Sequence, residues 1–318
     1  MSGFTITAGV SFSGGFTMTE APVENTAAWF GACNGNLSTV QRITFATDTA
    51  TASVRGPLSF GRTLLAATGN TTGAWFGGGY NPGVYSQVDR ITYATDTATA
   101  SVRGPLSLAR YALAAAGNTT DGWFGGGRIP NPIQSTVDRI TYATDTATAS
   151  VRGPLTELIY ALAAAGNTTN AWFGGGYNPS GAKSTVARIT FATDTDTASV
   201  RGPLSLARHQ LAAAGNLTDG WFACGFTPNT ASPRSTVDRI TYATDTATAS
   251  VRGPLSGNRY KLAAAGNDTD GWFGSGNGDY INYSTVNRIT YATDTNTASV
   301  RGPLSSVMTG GAAAGGIQ

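Results

Sequence analysis

Histidine occurs once in this 318-residue chain, at His209, and cysteine twice, at Cys33 and Cys224. The cysteines have no CxxC spacing and read as two unpaired thiols, and no His/Cys cluster offers a zinc or copper site. A Ser-His-Asp triad would have to use His209, but no GxSxG accompanies it. A phosphate-binding GxxxxGK[ST] is also missing. Paired carboxylates for glycoside hydrolysis cannot be recognised, because Asp138 sits in a predicted strand opposite an unidentified neighbour. The chain is therefore read as a non-enzyme without a cofactor. Charged residues make up only 12%, with a net charge of +2. The cations are scattered rather than gathered in a stripe, which argues against nucleic acid. No apolar run reaches the roughly 18 residues that span a bilayer, so no membrane insertion is expected. The start, Met1-Ser-Gly-Phe-Thr-Ile-Thr, lacks a basic n-region, which predicts synthesis in a cytoplasm without export by a signal peptide.

What the chain has is repetition. Val-Arg-Gly-Pro-Leu begins at Val54, Val102, Val151, Val200, Val251 and Val300, and a Trp-Phe pair precedes each copy. Those pairs start at Trp29, Trp75, Trp123, Trp172, Trp221 and Trp272, which are all six tryptophans of the chain. A fixed period of 40–50 residues signals units that bury their apolar faces on one another.

The third unit reads as four strands. Ala112–Asn118 is short and small-residued and is assigned as strand A, being too brief for a stable helix despite its alanines. Asn118–Gly122 is a turn, so its Asn-x-Thr sequon reads as turn chemistry. Trp123–Gly127 is strand B. Ser135–Tyr142 alternates and is rich in β-branched residues, giving strand C. In the following Ala-Thr-Asp-Thr turn, Asp145 can cap backbone amides, a stronger reading than calcium binding. Thr148–Arg152 is strand D, stopped by Gly153-Pro154.

Six such units predict an all-β, six-bladed propeller of four-stranded antiparallel blades over residues 25–318. The alanine strand suits the crowded axis, and each tryptophan is expected between blades. Nothing like strand A precedes Trp29, while Leu304–Gly316 aligns without gaps on Leu106–Asn118. The C-terminus therefore supplies the missing strand of the first blade and removes the open edge.

The glycines closing strand B, such as Gly77-Gly-Gly, Gly125-Gly-Gly and Gly174-Gly-Gly, followed by a variable loop, resemble the kelch family of propellers. The resemblance covers almost the whole chain. It departs in strand D, where that family usually carries a tryptophan and this chain has Val-Arg-Gly-Pro. The wording STVDRITYATDTATASVRGPLS also resembles repeats of bacteriophage virion proteins, tail-fibre proteins among them, especially from phages of cyanobacteria and marine bacteria. That likeness implies a place on the virion surface.

Variation is one-sided. Every length difference between units falls in the B–C loop, and the D–A loop varies in sequence only. Strands alternate in direction, so these two loops share one rim and the repeated A–B and C–D turns share the other. Binding residues concentrate on loops held by a rigid scaffold. The variable rim carries Arg62, Arg110, Arg128, Lys183, Arg208, Arg234, Arg259 and Lys261 against Glu157 and Asp279. The repeated rim carries Asp48, Asp96, Asp145, Asp194, Asp245, Asp294, Asp121, Asp196, Asp219, Asp268 and Asp270. This predicts a basic face and an acidic face. The variable rim also holds Tyr80, Tyr85, Tyr111, Tyr160, Tyr177, His209, Phe226, Tyr260, Tyr280 and Tyr283. The candidate ligand-binding set is Arg62, Tyr80, Arg110, Tyr111, Arg128, Tyr160, Tyr177, Arg208, His209, Phe226, Arg259, Tyr260 and Tyr280. An anionic host-surface polysaccharide or a protein would be the partner.

Residues 1–24 differ from the rest. Phe4, Ile6, Ala8, Val10 and Phe12 alternate with small or polar residues, Gly14-Gly15 marks a turn, and Phe16 and Met18 continue the pattern. This reads as a hairpin with one apolar face, which alone is marginal in water. It packs under its own propeller or attaches to another virion protein through Phe4, Ile6, Val10, Phe12 and Phe16.

Overall fold

The computed structural model describes residues 26–33, 37–279 and 281–315. The expected N-terminal hairpin and its attachment residues Phe4, Ile6, Val10, Phe12 and Phe16 lie outside the described residues, as does Tyr280.

Six four-stranded antiparallel sheets form the ring. Blade 2 has strand A at Ala66–Gly69, B at Gly73–Gly77, C at Val88–Thr92 and D at Ser101–Arg103. Blade 3 repeats this with Ala114–Gly117, Asp121–Gly125, Val137–Thr141 and Ser150–Arg152. Blades 4, 5 and 6 follow, their innermost strands being Ala163–Gly166, Ala212–Gly215 and Ala263–Gly266. The only helical segments among the described residues are three-residue 3-10 turns. The chain is thus an all-β six-bladed propeller, as the repeats predict. Closure also follows the expectation. Ala312–Gly315 pairs antiparallel with Ala27–Cys33, setting Trp29 opposite Ala314 and Phe30 opposite Ala313, and so completes blade 1.

The alanine strands converge on the axis, where their small side chains line a cavity of about 100 Å³. Between blades, the first residue after strand C lies flat on the tryptophan of the preceding blade. Tyr242 stacks on Trp172 at 3.7 Å and Phe191 on Trp123 at 3.8 Å, and Phe45 on Trp272 at 3.9 Å carries the pattern across the closure. Each buried tryptophan contributes up to about 5 kcal/mol, from about 200 Å² at about 25 cal/mol per Å².

The structure corrects the reading of the Ala-Thr-Asp-Thr turn. Its aspartate is neither exposed nor a turn cap: Asp48, Asp96, Asp145, Asp194, Asp245 and Asp294 are 5–6% exposed. Each accepts the indole N–H of the preceding blade. Trp75 Nε1 donates to Asp145 at 2.8 Å, and Trp272 Nε1 donates to Asp48 at 2.9 Å across the closure. The same Asp145 oxygen accepts from the Arg90 guanidinium at 3.0 Å and lies 3.4 Å from Arg103 Nε. The twelve arginines of strands C and D are therefore structural: each pairs with the aspartate of the next blade, and Arg139, Arg239 and Arg288 also approach an aspartate of their own. Backbone follows side chain: Gly104 N donates to Asp145 O, and Ala100 N to Pro57 O, each at 2.8 Å. The repetition of both motifs is explained by their meeting at every interface. The expected acidic face is correspondingly reduced, because six of its eleven carboxylates are buried against arginine.

Candidate functional site

The B–C and D–A loops do share a rim. In each of blades 2 to 6 a D–A residue forms a single antiparallel bridge with a B–C residue: Thr63 with Tyr80, Tyr111 with Arg128, Tyr160 with Tyr177, His209 with Phe226, and Tyr260 with Asn277. Each B–C residue then leans on the D–A residue of the following blade. Tyr80 meets Tyr111 at 5.5 Å, Arg128 lies over Tyr160 at 4.9 Å, Tyr177 meets His209 at 5.1 Å, and Phe226 meets Tyr260 at 5.5 Å. Bridges and contacts alternate, so these side chains form one continuous arc. The arc stops at Asn277 and resumes at Tyr80; across that gap the bridge positions hold Asn277, Thr309 and Thr63.

Eight of the thirteen candidate residues are brought together in this way: Tyr80, Tyr111, Arg128, Tyr160, Tyr177, His209, Phe226 and Tyr260. Tyr80 is exposed and the other seven are half-buried. Tyr85 and Tyr283 anchor loops instead. The Tyr85 ring packs on Phe60 and its hydroxyl donates to Asn81 O, while Tyr283 lies beneath the Arg259 guanidinium.

Four candidates are corrected outright. Arg62, Arg110, Arg208 and Arg259 are completely buried, with no surface to offer a ligand. Each points inward from the D–A loop to strand C of its own blade. Arg62 binds Asp89 at 2.7 Å, Arg110 binds Asp138 at 3.0 Å and Arg208 binds Asp238 at 3.0 Å. Asp138 thus has its neighbour, and it is a structural cation. Arg259 meets Asn287 Oδ1 at 2.7 Å in place of a carboxylate. A buried guanidinium demands such partners because desolvation penalises its charge; burial lowers the Arg110, Arg208 and Arg259 pKa values. The expected basic face therefore keeps only Arg128, Lys183, Arg234 and Lys261, and Lys183 lies 4.0 Å from Glu157.

Sequence reasoning missed the inner edge of this rim. Leu64, Ala112, Ala161, Gln210 and Lys261 have φ of +55° to +57°, and Gly310 has +67°. This left-handed region costs a non-glycine residue roughly 1–2 kcal/mol. The six are held there by a closed circle of backbone hydrogen bonds about the axis. The amide of each donates to the carbonyl of its counterpart in the preceding blade, from Ala112 to Leu64 and onward around to Leu64 to Gly310, at 2.6–3.0 Å. The circle rims a cavity of about 70 Å³ floored by Leu65, Leu113, Leu162, Leu211 and Leu262. Its six residues break the symmetry of the ring, with Gln210 and Lys261 together in blades 5 and 6. The only available signal was position: five of the six immediately precede the repeated leucine, and Gly310 occupies the aligned place before Gly311.

His209 stands beside that polar pair. Burial, and then the charge of Lys261, pulls its pKa down to about 4, so its imidazole is neutral at physiological pH. Its Nδ1 is buried and has no hydrogen-bond partner among the described residues. Burial also lowers the Lys261 pKa. Among the described residues no group of three His, Cys, Asp or Glu side chains could hold a metal ion. No helix of the described residues is long and apolar enough to cross a membrane.

No family model matches the sequence, and no curated protein does. The fold does have solved counterparts. The chain is similar to the structure of YjhT, with a TM-score of 0.71 over 87% of this chain and 95% of that one. Identity is 11%, so the likeness concerns the propeller fold alone.

Proposed function

We propose that this chain is a non-enzymatic recognition module of a phage particle, kelch-like in its repeats, which binds a host-surface glycan through the aromatic arc. The observation that carries the reading is the arc itself. Seven rings and one guanidinium run in contact across five blades, on the rim where every loop insertion falls. Rigid aromatic faces offer large contact area at low entropic cost, and ring faces flanked by hydrogen-bonding groups suit sugars. The phage setting is supported by the wording of the repeat, and residues 1–24 would supply the attachment to other virion proteins. The corrected charge distribution moves the emphasis from electrostatic steering to stacking.

The test is a glycan array and a cell-binding assay on the full chain and on Tyr111→Ala, Tyr160→Ala and Tyr260→Ala. Glycan binding that falls at least tenfold in these variants, with melting unchanged, supports the reading. Binding indifferent to all three changes refutes it. Retention of a host protein in place of any glycan would favour a protein-interaction scaffold using the same rim.

A further inference from the structure

We infer that the axial mouth enclosed by the arc is a carboxylate subsite, in which Lys261 supplies the charge and Gln210 the hydrogen bonds to an acidic sugar. This rests on the reading of the rim as the glycan-binding face.

The argument starts from the cost of Lys261. The same left-handed position holds Leu64, Ala112, Ala161 and Gly310 in other blades, so the backbone circle does not require a lysine. Burial opposes its charge. No carboxylate of the described residues lies within ion-pair distance of its Nζ, although Lys183 on the same rim has Glu157. A half-buried ammonium without a counter-ion, at the edge of a cavity, is set up to attract an anion.

The neighbours suit the same ligand. Gln210 accepts the Lys261 backbone amide at 2.8 Å, which places the two side chains on adjacent blades of the mouth. Size narrows the class. A cavity of about 70 Å³ takes a carboxylate group or a few waters but no sugar ring. The ring must therefore stay outside, where Tyr260 ends the arc with Lys261 Nζ 5.8 Å from its centroid. A pyranose on Tyr260 or Phe226 would turn its acidic substituent toward the axis.

The experiment is calorimetric titration of the full chain with a glucuronic-acid-terminated oligosaccharide and with its carboxyl-reduced form. Alanine occupies the Lys261 position in blades 3 and 4, so Lys261→Ala should keep the ring intact, to be confirmed by unchanged melting. At least tenfold tighter binding of the acidic form, abolished in Lys261→Ala while the neutral form is unaffected, is the expected result. Equal binding of both forms by the wild type overturns the subsite and leaves the rim reading standing. Preference that survives in Lys261→Ala overturns it likewise. Binding of neither form overturns the subsite and removes support from the rim reading as well.

Discussion

Arginine has three fates in this protein, and its neighbours in space decide which. In strands C and D it braces the next blade through an aspartate. At Arg62, Arg110 and Arg208 it is buried against a strand C carboxylate. At Arg128 it lies half-buried over tyrosine rings, 5.7 Å from Tyr111 and 4.9 Å from Tyr160. The repeats vary together at the buried pair. Where blade 4 replaces the arginine by Ile159, its partner becomes Ala187; where blade 1 has Met308, its partner is Gln41. Blade 6 is out of step, because Arg259 faces Asn287, whose Oδ1 also accepts from Ser256 N and Oγ at 3.0 Å. Asp89 makes the equivalent bonds to Ser59 while also pairing with Arg62. Asn287→Asp should therefore give Arg259 a charged partner while keeping both bonds accepted from Ser256, at the loss of the Asn287 Nδ2 donation to Ser256 Oγ. A gain of about 1 kcal/mol is expected in chemical denaturation, the usual size of a satisfied polar interaction; a loss of stability would show that the amide is required there.

At the scale of elements, the interface between blades explains both repeated motifs. Strand D ends in Gly-Pro because the next turn passes directly against it. A Cβ on Gly104 would stand 1.9 Å from Ala147 O, and one on Gly202 1.9 Å from Ala247 O. The backbone contact, and not only the stop imposed by proline, requires glycine. Gly104→Ala should separate blades 2 and 3 and cost about 3 kcal/mol or more, within the range of severe single substitutions. Thermal melting would register it; a melting temperature equal to wild type would contradict this packing. The variable rim meets no such demand. Its B–C loops are held by backbone bonds to the D–A loops and not by a close-packed turn, so their length and side chains are free to change.

For the molecule as a whole, stability depends on a closed circuit. The hydrophobic interior is divided into six clusters, one at each blade interface, so every blade relies on two neighbours. The last segment contributes strand A of blade 1 and also Gly310 in the axial circle, whose amide and carbonyl link blades 6 and 2. Removing residues 306–318 should open the ring and expose the edges of blades 1 and 6. Loss of a single cooperative transition in calorimetry is expected; a sharp, wild-type transition would show that closure is dispensable.

The repeat period, the alternation in strand C, the alanine strands and the displaced strand A at the C-terminus determined the blade count, the strand order, the axis and the closure. These are legible because each depends on a local pattern copied six times. Which charges reach solvent was decided only by tertiary structure. Arg110 and Arg128 look alike in the sequence, yet one is sealed against Asp138 and the other lies on a tyrosine, because burial follows from where strand C and the next blade come to rest. The arc is tertiary in the same sense: Tyr177 and His209 are separated by 32 positions and meet only because one blade's B–C loop reaches the next blade's D–A loop. The left-handed circle at the axis is likewise invisible to propensity, since an alanine or a lysine adopts that conformation only where six amides and six carbonyls close on one another.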